Sequence, residues 1–313
     1  VKIAIALCFV AVAAIAAEPV DPPVEQTKKN IKVLTGLPSS QLIPVMAFIS
    51  NSLGVTCSHC HTDKWEADEK PAKETARKML VMMRGINAQN FGGEPRVTCQ
   101  TCHQGHVKPS SIPLLANAGW NQPAAPPKPS LPAADEVLAR YIKAIGGEEA
   151  VQAATGRRGR GEVTRMNGRT APVSNTFTIT QELPQKVSID TELSYPPEAN
   201  REVGGHFYRV RALRSLYTSF AVTGIETIRG RSAYVVEATP KSGRPERLYF
   251  DRESGLLLRR ALELATPVGI LPSEYDFDDY RDAGGVKAPF LMTWSRADYR
   301  VTHKFDAIEP IVH

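Results

Sequence analysis

Cysteine is scarce in this chain: its 313 residues include five, and one of these, Cys8, falls in an apolar leader. That leaves Cys57, Cys60, Cys99 and Cys102, with none to spare for the disulfide framework of a small secreted scaffold. An excess of charge is also missing. Lys and Arg number 38 against 33 Asp and Glu, a net +5, which is too small and too spread out for the basic face of a nucleic-acid binder. No nucleic-acid partner is expected. Long apolar runs are absent too. The longest, from Ile3 to Ala17, falls short of the ~20 residues that cross a bilayer as a helix. It follows a lysine, ends in the small residues "AAIAA" and gives way to Glu18 and Pro19, the pattern of a secretory signal peptide over residues 1–17. An uncleaved anchor is the alternative reading. Both place the chain outside the cytoplasm, in a periplasm or a similar compartment, with membrane association open.

What is present is concentrated in two short words. "TCSHCH" holds Cys57, Cys60 and His61, and "TCQTCH" holds Cys99, Cys102 and His103. Two C-x-x-C pairs can supply four thiolates to zinc, but zinc leaves the histidine after each pair unexplained. Disulfide exchange through C-x-x-C ordinarily uses one pair in a βαβ setting, and no such strand pattern surrounds either pair. C-x-x-C-H is the signature of c-type haem attachment and uses every residue. The thiols form thioethers to the haem vinyl groups, and the adjacent histidine becomes the proximal iron ligand. Two covalently bound haems are therefore expected, anchored by Cys57 and Cys60 with His61, and by Cys99 and Cys102 with His103.

A sixth ligand decides whether such an iron mainly transfers electrons or stays open for catalysis. Ahead of the first motif, Leu42, Val45, Met46, Ile49 and Leu53 recur at helical spacing, with Ser39 or Ser40 as N-cap and Gly54 as stop. Met46 lies on that face, eleven residues before Cys57. A second helical run precedes the other motif, with Met79, Met82, Met83 and Ile86 as its expected buried side, and spacing alone does not choose among the methionines. His59, between two thioether cysteines, reads as a solvent contact. His106 reads as a propionate partner or a loop residue, and His206, His303 and His313 as surface residues.

The words "NIKVLTGLPSSQL", "MAFISNSLGVTCSHCH", "ARKMLVMMRGINAQNF" and "VTCQTCHQG" resemble the cytochrome c subunit of photosynthetic reaction centres, from about Asn30 to Pro109. The resemblance implies Met46 as distal ligand of the first haem and Met79, the first methionine of "RKMLVM", as that of the second. The family carries four haems in two such pairs, whereas this chain has one pair. It also lacks the histidine which that family places between the second methionine and its C-x-x-C-H. Donation to a reaction centre thus remains one option among several.

From Lys108 to Pro132 the chain has seven prolines, the composition of an extended spacer. The expected organisation is a dihaem cytochrome c domain over 18–108, a linker over 109–132 and a second domain over 133–313. The second domain opens with a helix broken at Gly146-Gly147, with Val137, Leu138, Tyr141, Ile142 and Ile145 on its buried side. The hydrophobic period then changes to two over several strand lengths, with two strands expected around Gly284-Gly285. A run of antiparallel strands after a helix suggests a curved sheet or open barrel. Phrases such as "LYFDRESGLLLRR" resemble the lipoprotein-carrier half-barrels, which implies a sheet around an apolar cavity. The arginines of "GRRGRGEVTRMNGR" read as a solvated strand face, and "DFDDY" as weak evidence for calcium.

The whole is an α+β chain: a small helical dihaem domain followed by an antiparallel half-barrel with a leading helix. The expected function is one-electron transfer between a redox donor and acceptor rather than an enzyme reaction. A membrane-associated complex is a possible setting, and the second domain would dock the protein or hold an apolar ligand. The alternatives are a dihaem peroxidase and a lipid carrier with haem as redox sensor.

Overall fold

The computed structural model describes residues 21–112, 130–167, 171–266 and 268–311. The leader, most of the proline-rich segment and His313 lie outside them. The N-terminal part is built from four helices: α1 (Val24–Thr27), α2 (Leu42–Leu53), α3 (Pro71–Asn90) and α4 (Cys99–His103). Gly54 ends α2 in the left-handed region at φ 67°. A Cβ there would meet the carbonyl oxygen of Gly105 at 2.1 Å, so both the turn and the close approach require glycine. Pro71 opens α3, where its missing N–H costs nothing.

Two expectations about these helices need correction. Neither Ser39 nor Ser40 caps α2, which is entered from a 3-10 turn over Ser39–Gln41. Ser39 Oγ instead bonds the carbonyl of Pro22, and Ser40 bonds Asp21, tying down the N-terminal segment. On α3 the buried side is Arg77, Leu80, Met83 and Asn87, while Met79 and Met82 are exposed and Ile86 half-buried. Apolar spacing placed the stripe about one residue too far round the helix, because Arg77 and Asn87 are buried through polar bonds that a hydrophobic pattern does not register.

The C-terminal part begins with α5 (Ala134–Ala144) and α6 (Glu148–Ala153), separated at Gly146-Gly147. Of the expected face, Val137, Leu138, Tyr141 and Ile145 are buried and Ile142 is partly so. Ten strands follow: β1 (Gly156–Asn167), β2 (Val173–Glu182), β3 (Lys186–Asp190), β4 (Tyr217–Ile228), β5 (Arg231–Pro240), β6 (Glu246–Asp251), β7 (Leu257–Thr266), β8 (Gly269–Asp282), β9 (Lys287–Arg296) and β10 (Tyr299–Pro310). Between β3 and β4 run α7 (Pro197–Arg211) and α8 (Leu213–Leu216).

All pairings are antiparallel, in the order β3-β2-β1-β10-β9-β8-β7-β6-β5-β4, so the last strand returns beside the first in an open half-barrel. The chain around Gly284-Gly285 carries three strands (β8, β9 and β10) rather than two. The β1–β10 register slips at Arg160/Gly161, where a Cβ on Gly161 would sit 2.0 Å from the Lys304 carbonyl. The large core joins both sheet and helices, with Tyr141 of α5 against Phe250 of β6 at 5.3 Å between ring centroids.

Helices α5 and α7 pack against the sheet, and a groove of about 890 Å³ remains between α7 and the chain from Leu183 to Ile189. Helix α7 sends Glu202 and His206 inward, and Arg260 of β7 bridges Glu202 at 2.5 Å and Glu246 at 2.7 Å. The cavity between Tyr141, His206 and Arg260 measures about 10 Å³, space for no more than about one water. His206 and His303 are therefore not surface residues: they are 3% and 1% exposed. His206 packs on the Phe277 ring at 4.7 Å, and His303 Nε2 lies 3.1 Å from the Tyr195 hydroxyl. The "DFDDY" carboxylates are engaged by arginine: Asp276 by Arg259, Asp278 by Arg229 and Asp279 by Arg281.

The two parts share a core. Val268 and Leu271, at the β7–β8 turn, are buried in the same cluster as Leu34, Val45, Leu80 and Met83 of the helical part. Asn51 Nδ2 also donates to the Ala297 carbonyl at 3.3 Å.

Candidate functional site

The first motif lies where α2 turns back toward α3. Cys57, Cys60 and His61 share with Met46 the wall of a cavity of about 570 Å³, closed by Ile49 and Leu53 of α2 and Leu80 of α3. That volume is in the range of cofactor pockets. Met46 and His61, fifteen positions apart in sequence, thus line one apolar space. His61 Nδ1 lies 3.0 Å from the carbonyl oxygen of Trp65. A carbonyl only accepts, so Nδ1 carries the proton and Nε2 the lone pair.

The second motif forms α4. Thr98 and Thr101 cap it reciprocally, each side chain bonding the other's backbone N–H. The strand of chain leading into it is held by Asn87: its Nδ2 donates to the Val97 carbonyl at 2.7 Å, and its Oδ1 accepts from Val97 N–H at 2.9 Å. His103 repeats the geometry of His61, with Nδ1 donating to the His106 carbonyl at 2.9 Å. His106 thus enters the site through its backbone, while its side chain and that of His59 are exposed.

The motifs adjoin through the end of α2. Gly105 N–H donates to the Ser52 carbonyl at 2.8 Å, two residues after His103 and five before Cys57.

These residues fit haem better than the other uses of C-x-x-C. Burial pushes the Cys60 and Cys99 thiols above their ordinary value, the reverse of an activated redox dithiol. Among the described residues no three His, Cys, Asp or Glu side chains converge as metal ligands, so the two pairs do not form a zinc site. The cavity beside Cys57 and the same Nδ1–H tether on both histidines suit a covalent macrocycle with an iron at Nε2. Met79 is 41% and Met82 50% exposed on α3, and neither lines the first cavity.

Around the first motif the charge is organised. Asp68 receives Arg77, Lys32 and Asn30 at 2.9, 2.8 and 2.9 Å, and the Arg77 guanidinium foremost holds its carboxyl well below the usual carboxylate range.

Residues 2–129 match the family described as the photosynthetic reaction centre cytochrome C subunit. Over 81 residues the chain is 38% identical to cytochrome c-554 of Chloroflexus aurantiacus, which covers 24% of this chain. The chain matches only a fifth of that relative's length. The C-terminal part is similar in outline to a LolA superfamily protein from Nitrosomonas europaea, at 9% identity and TM-score 0.43 over 58% of this chain and 96% of the other. It is also similar to a putative outer membrane lipoprotein-sorting protein domain from Vibrio parahaemolyticus, at 12% identity and TM-score 0.39, covering 56% and 90% of the two chains. The resemblance to the cytochrome family therefore belongs to the helical part. Among the described residues no helix is long and apolar enough to cross a membrane.

Sequence reasoning missed Asn87 and the carbonyls of Trp65 and His106. It also missed the Thr98–Thr101 cap; Asn87 and the two carbonyls act across loops whose shape no local pattern states.

Proposed function

We propose that this chain is an extracytoplasmic dihaem c-type cytochrome that passes single electrons between redox proteins. The observation that carries the reading is the repeated tether: both histidines of the C-x-x-C-H words present Nε2 outward by donating Nδ1–H to a backbone carbonyl close by. Cys57 and Cys60 would hold one haem, with His61 and Met46 as ligands. Cys99 and Cys102 would hold the other, with His103 and Met79. Bound haem supplies one-electron Fe(III)/Fe(II) cycling, with no substrate bond made or broken.

The protein's own contribution is geometric. The backbone tethers fix the imidazole planes, the α2 face and Leu80 keep water from the first centre, and the contact of Gly105 with α2 keeps the centres close. The half-barrel shares a core with the helical part and so helps to set the docking surface. A reaction centre or a respiratory complex at a membrane would each fit as partner.

Methionine ligation gives Fe(III) haem a weak near-infrared band. Met46→Ala and Met79→Ala are each expected to lose about half of it, with the wild-type protein low-spin and inactive toward peroxide. A band unchanged in both variants removes the ligand assignment. A high-spin centre with peroxide turnover would favour the peroxidase reading instead.

A further inference from the structure

The two proximal histidines make the same kind of bond, yet their acceptors differ. The Trp65 carbonyl that accepts from His61 receives a second donor, Lys73 Nζ, at 3.0 Å. The same ammonium donates to the Ala67 carbonyl at 2.8 Å and lies 3.3 Å from Asp68 Oδ1, with its side chain 11% exposed. Three acceptors therefore meet its three N–H groups, and the charge is held in place. At the second motif the His106 carbonyl accepts from His103 alone, with no cation on it among the described residues.

We propose that Lys73 is a positioning residue that raises the reduction potential of the first haem centre above that of the second, an inference that rests on the dihaem reading. Two effects act in the same direction. A histidine that donates to a strong acceptor becomes a more basic ligand, which favours the higher oxidation state. Lys73 draws on the same carbonyl lone pairs, weakens the His61 bond and leaves the imidazole less basic. Its positive charge, partly desolvated in the first turn of α3, also disfavours the more positive iron. Asp68 does not cancel that charge, because Arg77 and Lys32 share its carboxylate. An electron shared between the centres would then rest on the first, beside a rim that includes Lys28, Lys29 and Lys32. This charge favours an acidic partner surface at the exit.

A redox titration of the holoprotein should resolve two one-electron components. In Lys73→Met one component is expected to shift about tenfold toward the oxidised form, about 59 mV for a one-electron couple, and the other to stay in place. Lys73→Arg keeps the charge and should remain near wild type. Lys73→Gln keeps an N–H donor without the charge and should fall between, which preserves the test if Lys73→Met folds poorly. The component that moves should be the one that Met46→Ala also moves. Unmoved potentials, a rise, or equal shifts in both components would overturn the role of Lys73. Haem content is counted first: a full complement with unmoved potentials rejects this inference alone, whereas a wild-type chain without covalent haem rejects the dihaem reading itself.

Discussion

His61 and His103 are part-exposed and held by backbone carbonyls, whereas the buried His206 and His303 meet side chains, Glu202 and Tyr195. His303 has its Nε2 against Tyr195 and its ring edge-on to Phe177 at 5.0 Å, and its Nδ1 has no hydrogen-bond partner. Burial lowers its pKa to about 3. The unfolded chain, at the ordinary value of about 6.5, binds this proton more readily, so stability is full above that pH and falls as pH drops toward 3. The loss is roughly 1.4 kcal/mol for each pH unit crossed. Melting temperature measured between pH 7 and pH 3.5 should fall less steeply in His303→Gln than in wild type; parallel curves would show that another group governs the acid limb. The contrast with His61 also explains what was legible. A histidine that follows C-x-x-C announces its chemistry within five residues. His206 and His303 owe their burial to strands and helices far away in the chain, and so they read as surface residues.

Among the elements, α2, α5 and most strands were visible because each carries an apolar period of its own, ended by a glycine or a turn. Helix α7 was not. Its "PEANREVGGHFYRVR" has two adjacent glycines and little apolar rhythm, and it is buried through Glu202 meeting Arg260 and Arg209. The Arg260 charge, with Arg209, keeps Glu202 ionised against a strong desolvation effect, with its pKa lowered to about 2. The β7–β8 turn was equally hidden, since Val268 and Leu271 look like ordinary strand residues yet pack into the helical part. Leu271→Asp would bury an unpaired charge in that shared core, at a cost of about 3–5 kcal/mol. Calorimetry of the wild type should give one cooperative transition, and the variant should melt earlier and in two steps. An unchanged single transition would show that the two parts are not coupled through this turn.

The molecule as a whole joins a compact pair of C-x-x-C-H words to a half-barrel whose interior is its own core. The sequence pattern suggested two domains joined by a spacer; the fold sets them against each other through a common cluster. Helices α5 and α7 pack into the core of the half-barrel, and a groove of about 890 Å³ lined by Leu183, Val187, Ile189 and Leu216 lies beside α7. The claim on which the rest depends is that both words carry covalent haem. Intact-mass measurement of the purified holoprotein, after acid-acetone extraction to strip any non-covalent haem, tests it most directly. The account predicts a chain heavier than the polypeptide by two haems. A chain carrying one haem, or none, would contradict it.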